Sequence, residues 1–96
     1  MTNRYYVTYD ICDSKRLRRV FKVLKGAGEH VQYSVFCCDL SPRQREALML
    51  DLGGTIVPSE DQVLFIDLGP TGGIAPDRVT VLGQPHAPRE PGPVVV

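Results

Sequence analysis

A chain of 96 residues holds one small domain with a thin core, and 43% hydrophobic with 23% charged residues is the balance of a water-soluble globular protein. No apolar run approaches the roughly 20 residues that cross a bilayer, and the opening MTNRYY lacks the apolar core of a signal peptide, so no membrane partner and a cytoplasmic location are expected. Eleven basic residues balance eleven acidic ones, yet six of the basic ones crowd between Lys15 and Lys25 with no acid among them.

Arg4 to Asp10 reads as a strand, because aromatic and β-branched residues dominate it. Alternation sets Tyr5, Val7 and Tyr9 on one face and Tyr6, Thr8 and Asp10 on the other. Asp13 or Ser14 can cap a helix that runs to about Ala27 and stops at Gly26 and Gly28. At about 100° per residue, Leu17, Val20, Phe21, Val23 and Leu24 are expected on one arc. Lys15, Arg16, Arg18, Arg19, Lys22 and Lys25 are expected on the opposite arc. His30 to Leu40 is extended but long for one strand, so a bend near Tyr33–Ser34 should divide it into a pair. Ser41 as cap and Pro42 at the first helical position open a second helix. Leu48, Met49 and Leu52 supply its apolar side, and Gly53-Gly54 ends it. Asp61 to Leu68 is a strand, GPTGGIAPD a loop, and Arg78 to Leu82 a short late strand. The tail, 83–96, is too rich in proline for a helix, and Val94-Val95-Val96 is expected to pair only at a sheet edge.

The order strand, helix, strand, strand, helix, strand is the ferredoxin-like plan, α+β, with an antiparallel sheet and both helices on one face. Residues 1–82 would form that domain. The opposite sheet face then lies bare, and a second copy about a two-fold axis is its expected cover. The late strand has no place in a four-stranded sheet and is expected to join the partner's. Cys12, Cys37 and Cys38 are odd in number and without CxxC or HxxxH spacing, so small buried thiols are expected rather than disulfides or zinc.

The YDI of Tyr9–Ile11, the basic helix DSKRLRRVFKVLKGAG and the QYSVF of Gln32–Phe36 together resemble the CRISPR-associated endonuclease family Cas-two. The likeness runs from about Arg4 to Leu82. It implies a homodimer whose sheets face each other, metal-dependent cleavage of single-stranded RNA or double-stranded DNA, and action beside the Cas-one integrase in spacer acquisition. It places the catalytic and metal-binding role on Asp10, one copy from each protomer. Tyr9, Arg19 and Phe36 match supporting positions. His30 stands where the family often has a basic residue.

Elementary electrostatics bears on that role. Two Asp10 carboxylates meeting across an axis would repel unless a cation joined them. Mg²⁺ tolerates one or two carboxylates with waters completing its shell. A carboxylate ending a strand also serves as a turn former or cap. Asp13 is expected to cap the helix rather than bind metal. A cationic arc without acids suits a polyanion, although a solvated surface is the ordinary alternative. His30 and His86 are isolated and expected at the surface or in loops, and no phosphate-binding glycine motif occurs. Two functions remain: a Mg²⁺-dependent endonuclease acting on RNA or DNA, and a non-catalytic dimeric DNA-binding scaffold for the Cas-one integrase.

Overall fold

Four strands and two helices follow one another in the computed structural model, which describes residues 1–84. They are β1 (Asn3–Asp10), α1 (Ser14–Lys25), β2 (Glu29–Gln32), β3 (Val35–Leu40), α2 (Pro42–Gly53) and β4 (Gln62–Pro70). Two 3₁₀ turns, Thr71–Gly73 and Pro76–Arg78, come after β4. The sheet order is β2-β3-β1-β4, with every neighbouring pair antiparallel. This is the ferredoxin-like fold.

Alternation along β1 decides which face meets the helices. Tyr5, Val7 and Tyr9 are buried, and the register pairs Tyr5 with Cys38 and Val7 with Phe36, so both strands turn apolar side chains the same way. Val20 and Leu24 of α1 and Leu48 and Leu52 of α2 close over them. Each fully buried large side chain, such as Phe36 or Leu24, stabilises the fold by about 1.5–3 kcal/mol. Ser41 caps α2: its Oγ accepts from the Gln44 amide at 3.1 Å, while the Ser41 amide donates to Gln44 Oε1 at 2.8 Å. Gly28 enters β2 against β3 so closely that a Cβ there would collide with the Cys37 carbonyl oxygen and Cys38 Sγ.

Several expectations are corrected. β4 runs to Pro70 rather than Leu68, past an irregularity where Arg4 pairs with Gly69 and Tyr5 with Asp67. Leu68 is the extra residue, and Gly69 has φ +102°. The late strand at Arg78–Leu82 is not formed: Arg78 ends a 3₁₀ turn, and 79–82 joins no strand among the described residues. An extended segment that pairs with no neighbour has no ladder to hold it, and the edge expected for this one belongs to a second copy. Met49 is exposed, since it lies a further 100° round α2 from Leu48. Of the three thiols only Cys38 is buried; Cys12 is exposed and Cys37 half-buried. His30 is half-buried between Phe21 and Phe36, with ring centroids 5.3 and 5.0 Å away. The tail from residue 85, with His86 and the expected edge strand at 94–96, lies outside the described residues.

Candidate functional site

The sheet face away from the helices carries Tyr6, Thr8 and Asp10 from β1. Across from them stand Leu64 and Ile66 of β4, 47% and 46% exposed, and Val35 and Cys37 of β3. This face is bare only in part. At its Arg4 end the chain after β4 folds back, and Ile74, Pro76 and Val79 close a cavity of about 390 Å³ over Arg4, Tyr6 and Cys37. Arg4 there makes a two-pronged pair with Asp39, Nε to Oδ1 at 2.8 Å and Nη2 to Oδ2 at 3.1 Å.

Asp10 stands at the other, open end. Its backbone pairs with Gln62, its side chain is exposed, and among the described residues its carboxylate has no hydrogen bond or ion pair. The chain leaves the sheet just beyond it, and Asp61 fixes the exit. The Asp61 carboxylate accepts from the Cys12 amide at 2.9 Å and the Val57 amide at 2.8 Å. It also accepts from Arg16 Nε at 2.8 Å and Nη2 at 3.2 Å. The Asp61 side chain has no exposed surface. The Arg16 guanidinium beside it, aided by the two amides, holds its carboxyl well below the usual carboxylate range. Asp13 caps α1, accepting from the Lys15 and Arg16 amides at 3.0 Å. The Arg16 amide and then its charge lower that carboxyl too.

Arg16 therefore departs from its expected arc. At about 100° per residue it falls between Val23 and Val20, on the side of α1 that faces the protein, and it pairs with Asp61 and Glu60. The other five cations, Lys15, Arg18, Arg19, Lys22 and Lys25, are exposed and free of ion pairs among the described residues. The helix begins soon after Asp10, so Lys15 stands at the Asp10 end of the molecule, whereas Lys22 and Lys25 lie in its last turn.

Tyr9 and Phe36 lie in the core, on the helix side of the sheet, with ring centroids 6.3 Å apart. Neither meets Asp10 through its side chain. Tyr9 instead donates from its hydroxyl to the Tyr33 carbonyl at 3.2 Å and from its amide to the Ser34 carbonyl at 3.1 Å. Burial pushes its phenol pKa up. These two residues hold the β2–β3 turn. Burial likewise pushes the Cys38 thiol up to about 12, which keeps it protonated and inert at neutral pH.

No group of three His, Cys, Asp or Glu side chains capable of holding a metal occurs among the described residues. Asp10 offers one hard, hydrated oxygen donor set. That fits Mg²⁺, which keeps most of its waters and takes one or two carboxylates, and does not fit a closed protein cage. Two residues that matter here escaped the sequence reading: Asp61, which looked only like the start of a strand, and Tyr33, which looked only like a bend. The run PSED before an apolar stretch was the available signal for Asp61.

The family model for CRISPR associated protein Cas2 matches residues 3–72. The chain belongs to the Cas2 family. A relative named CRISPR-associated endoribonuclease Cas2 1, from Rhodospirillum rubrum, is 50% identical over 66 residues, which cover 69% of this chain and 65% of the relative. Another, CRISPR-associated endoribonuclease Cas2 3 from Synechocystis sp., is 35% identical over 92 residues, 96% of this chain and 97% of that one. The crystal structure of Streptococcus pyogenes Cas2 superposes with a TM-score of 0.67 at 30% identity, covering 83% of this chain and 99% of that one. The Cas2 match takes in β1, α1, the β2–β3 turn and β4. No helix among the described residues is long and apolar enough to cross a membrane.

Proposed function

We propose that this Cas2 chain is a cytoplasmic, metal-dependent endonuclease of CRISPR adaptation, with Asp10 as its catalytic and metal-binding carboxylate. One observation carries the reading: an exposed, unpartnered carboxylate stands on the open end of a sheet face, at the end of the molecule where a helix bearing five unpaired cations begins. The names of the relatives, endoribonucleases, favour RNA among the substrates. Two copies packed through the Leu64 and Ile66 face would bring two Asp10 side chains to one axis, where their repulsion favours a shared cation. Magnesium held there would supply polarisation of a phosphodiester and a water acidic enough to attack near neutral pH. Lys15, Arg18, Arg19, Lys22 and Lys25 would hold the phosphate backbone on either side, reading little sequence.

A second reading has its own support. One carboxylate per chain is thin coordination for hydrolysis, whereas the cationic face suffices to bind duplex DNA. In that case the dimer is a non-catalytic scaffold for the Cas-one integrase. Replacing Asp10 with Asn separates the two. Purified wild type should cleave single-stranded RNA or duplex DNA only with Mg²⁺, and Asp10→Asn should lose at least about 10²-fold in rate while binding nucleic acid normally. Cleavage that survives both EDTA and the substitution would sink the nuclease reading. Spacer acquisition by Asp10→Asn would assign the biological role to the scaffold.

A further inference from the structure

Tyr33 occupies a backbone position that its side chain opposes. Its φ is +25°, the one positive value found for a non-glycine residue among those described, where a Cβ is crowded and glycine or asparagine would be cheaper. The ring gains nothing in packing to offset this, because Tyr33 is 74% exposed. The turn is nevertheless built rigidly. Its carbonyl accepts from Tyr9 Oη at 3.2 Å and lies 2.7 Å from His30 Nε2. Beneath it the rings of His30, Phe21 and Phe36 pack edge to face or tilted at 5.0–5.3 Å. Strain held in place by its surroundings, around an aromatic ring left in water, points to a contact outside the chain.

The turn's location says which contact. The Tyr9 amide donates to the Ser34 carbonyl, so the turn sits one strand over, about 4.8 Å, from the end of β1. Asp10 is the next residue. The β2–β3 turn, the start of α1 with Lys15 and the Asp10 carboxylate thus share one end of the molecule. An exposed aromatic beside cations is the arrangement that holds unpaired bases, since a flat ring stacks on any base while the cations take the phosphates. A paired base within a duplex has both faces occupied by its neighbours and cannot use such a ring.

We propose that Tyr33 is a stacking platform for an unpaired base next to the phosphodiester at Asp10, and that it makes the site prefer single-stranded nucleic acid. The proposal rests on the nucleic-acid reading of the site. Its test uses a single-stranded RNA carrying 2-aminopurine, and the matching duplex, with wild type, Tyr33→Phe, Tyr33→Gly and Asp10→Asn. Glycine suits the left-handed backbone, so Tyr33→Gly should fold at least as stably as wild type by thermal melt. Wild type and Tyr33→Phe should quench 2-aminopurine on binding. Tyr33→Gly should lose the quench and bind the single strand roughly ten-fold or more weakly, with duplex affinity unchanged. Undiminished quenching in Tyr33→Gly, or equal weakening toward single strand and duplex, would overturn the platform, as would a wild type that binds neither. Cleavage that survives both EDTA and Asp10→Asn overturns the nuclease reading without altering the quench, so the two failures separate.

Discussion

Asp61 joins three parts of the chain through a single side chain. It takes the amides of Cys12 and Val57 and the guanidinium of Arg16, and none of its side-chain surface meets solvent. Arg16, with its amide partners, depresses its pKa in the folded state. The stability this contributes is therefore fully present above the unfolded carboxylate value, about 3.9, and is lost as the pH falls through the lower folded value. Asp61→Asn should lower Tm by several degrees at neutral pH, leaving half-buried Arg16 only its pair with the more exposed Glu60. Below about pH 4 the wild-type and mutant Tm curves should converge; curves that stay parallel down to acid would contradict this account. The pairing itself was not legible in advance, because Asp61 lies 45 positions from Arg16 and only the fold brings them together. Asp10 and Asp13 were legible, since alternation along a strand and the needs of a helix start are local rules.

Helix α1 shows how far a pattern along one element can be read. Its apolar arc was clear from spacing alone, and Val20 and Leu24 are buried as that arc requires. The basic arc was overdrawn by one residue. Arg16 lies on the inward side and is held by two acids from the turn before β4, which periodicity could have excluded but composition hid. The five remaining cations should behave differently from it. Arg18→Ala with Arg19→Ala should reduce the slope of log affinity against log salt for a single strand by about 1.4, with Tm nearly unchanged. Arg16→Ala should lower Tm and leave that slope alone. Equal slopes for wild type and the double variant would show that this helix face does not carry the phosphate contacts. The segment Arg78–Leu82 has the opposite lesson: β-forming residues make a strand only by pairing with an edge, and within the single chain these pair with none.

For the whole molecule the order of elements was the strongest signal, and the sheet order β2-β3-β1-β4 follows from it. What sequence order could not convey is how the chain after β4 travels. Leu64 and Ile66 remain about half exposed on the open face, an apolar surface of the kind that association covers. Leu64→Arg with Ile66→Arg should convert the proposed dimer to a monomer in analytical ultracentrifugation, at little cost to the thermal stability of each chain. A wild type that sediments as a monomer, or a variant that still pairs, would move the contact elsewhere. The extra residue at Leu68 and the left-handed Gly69 swing the backbone across the sheet, so that Ile74, Pro76 and Val79 roof over the Arg4 end. This lean-to shuts one half of the platform and leaves a doorway at the other. The half that carries Asp10 and Leu64 is the half left open to an approaching partner.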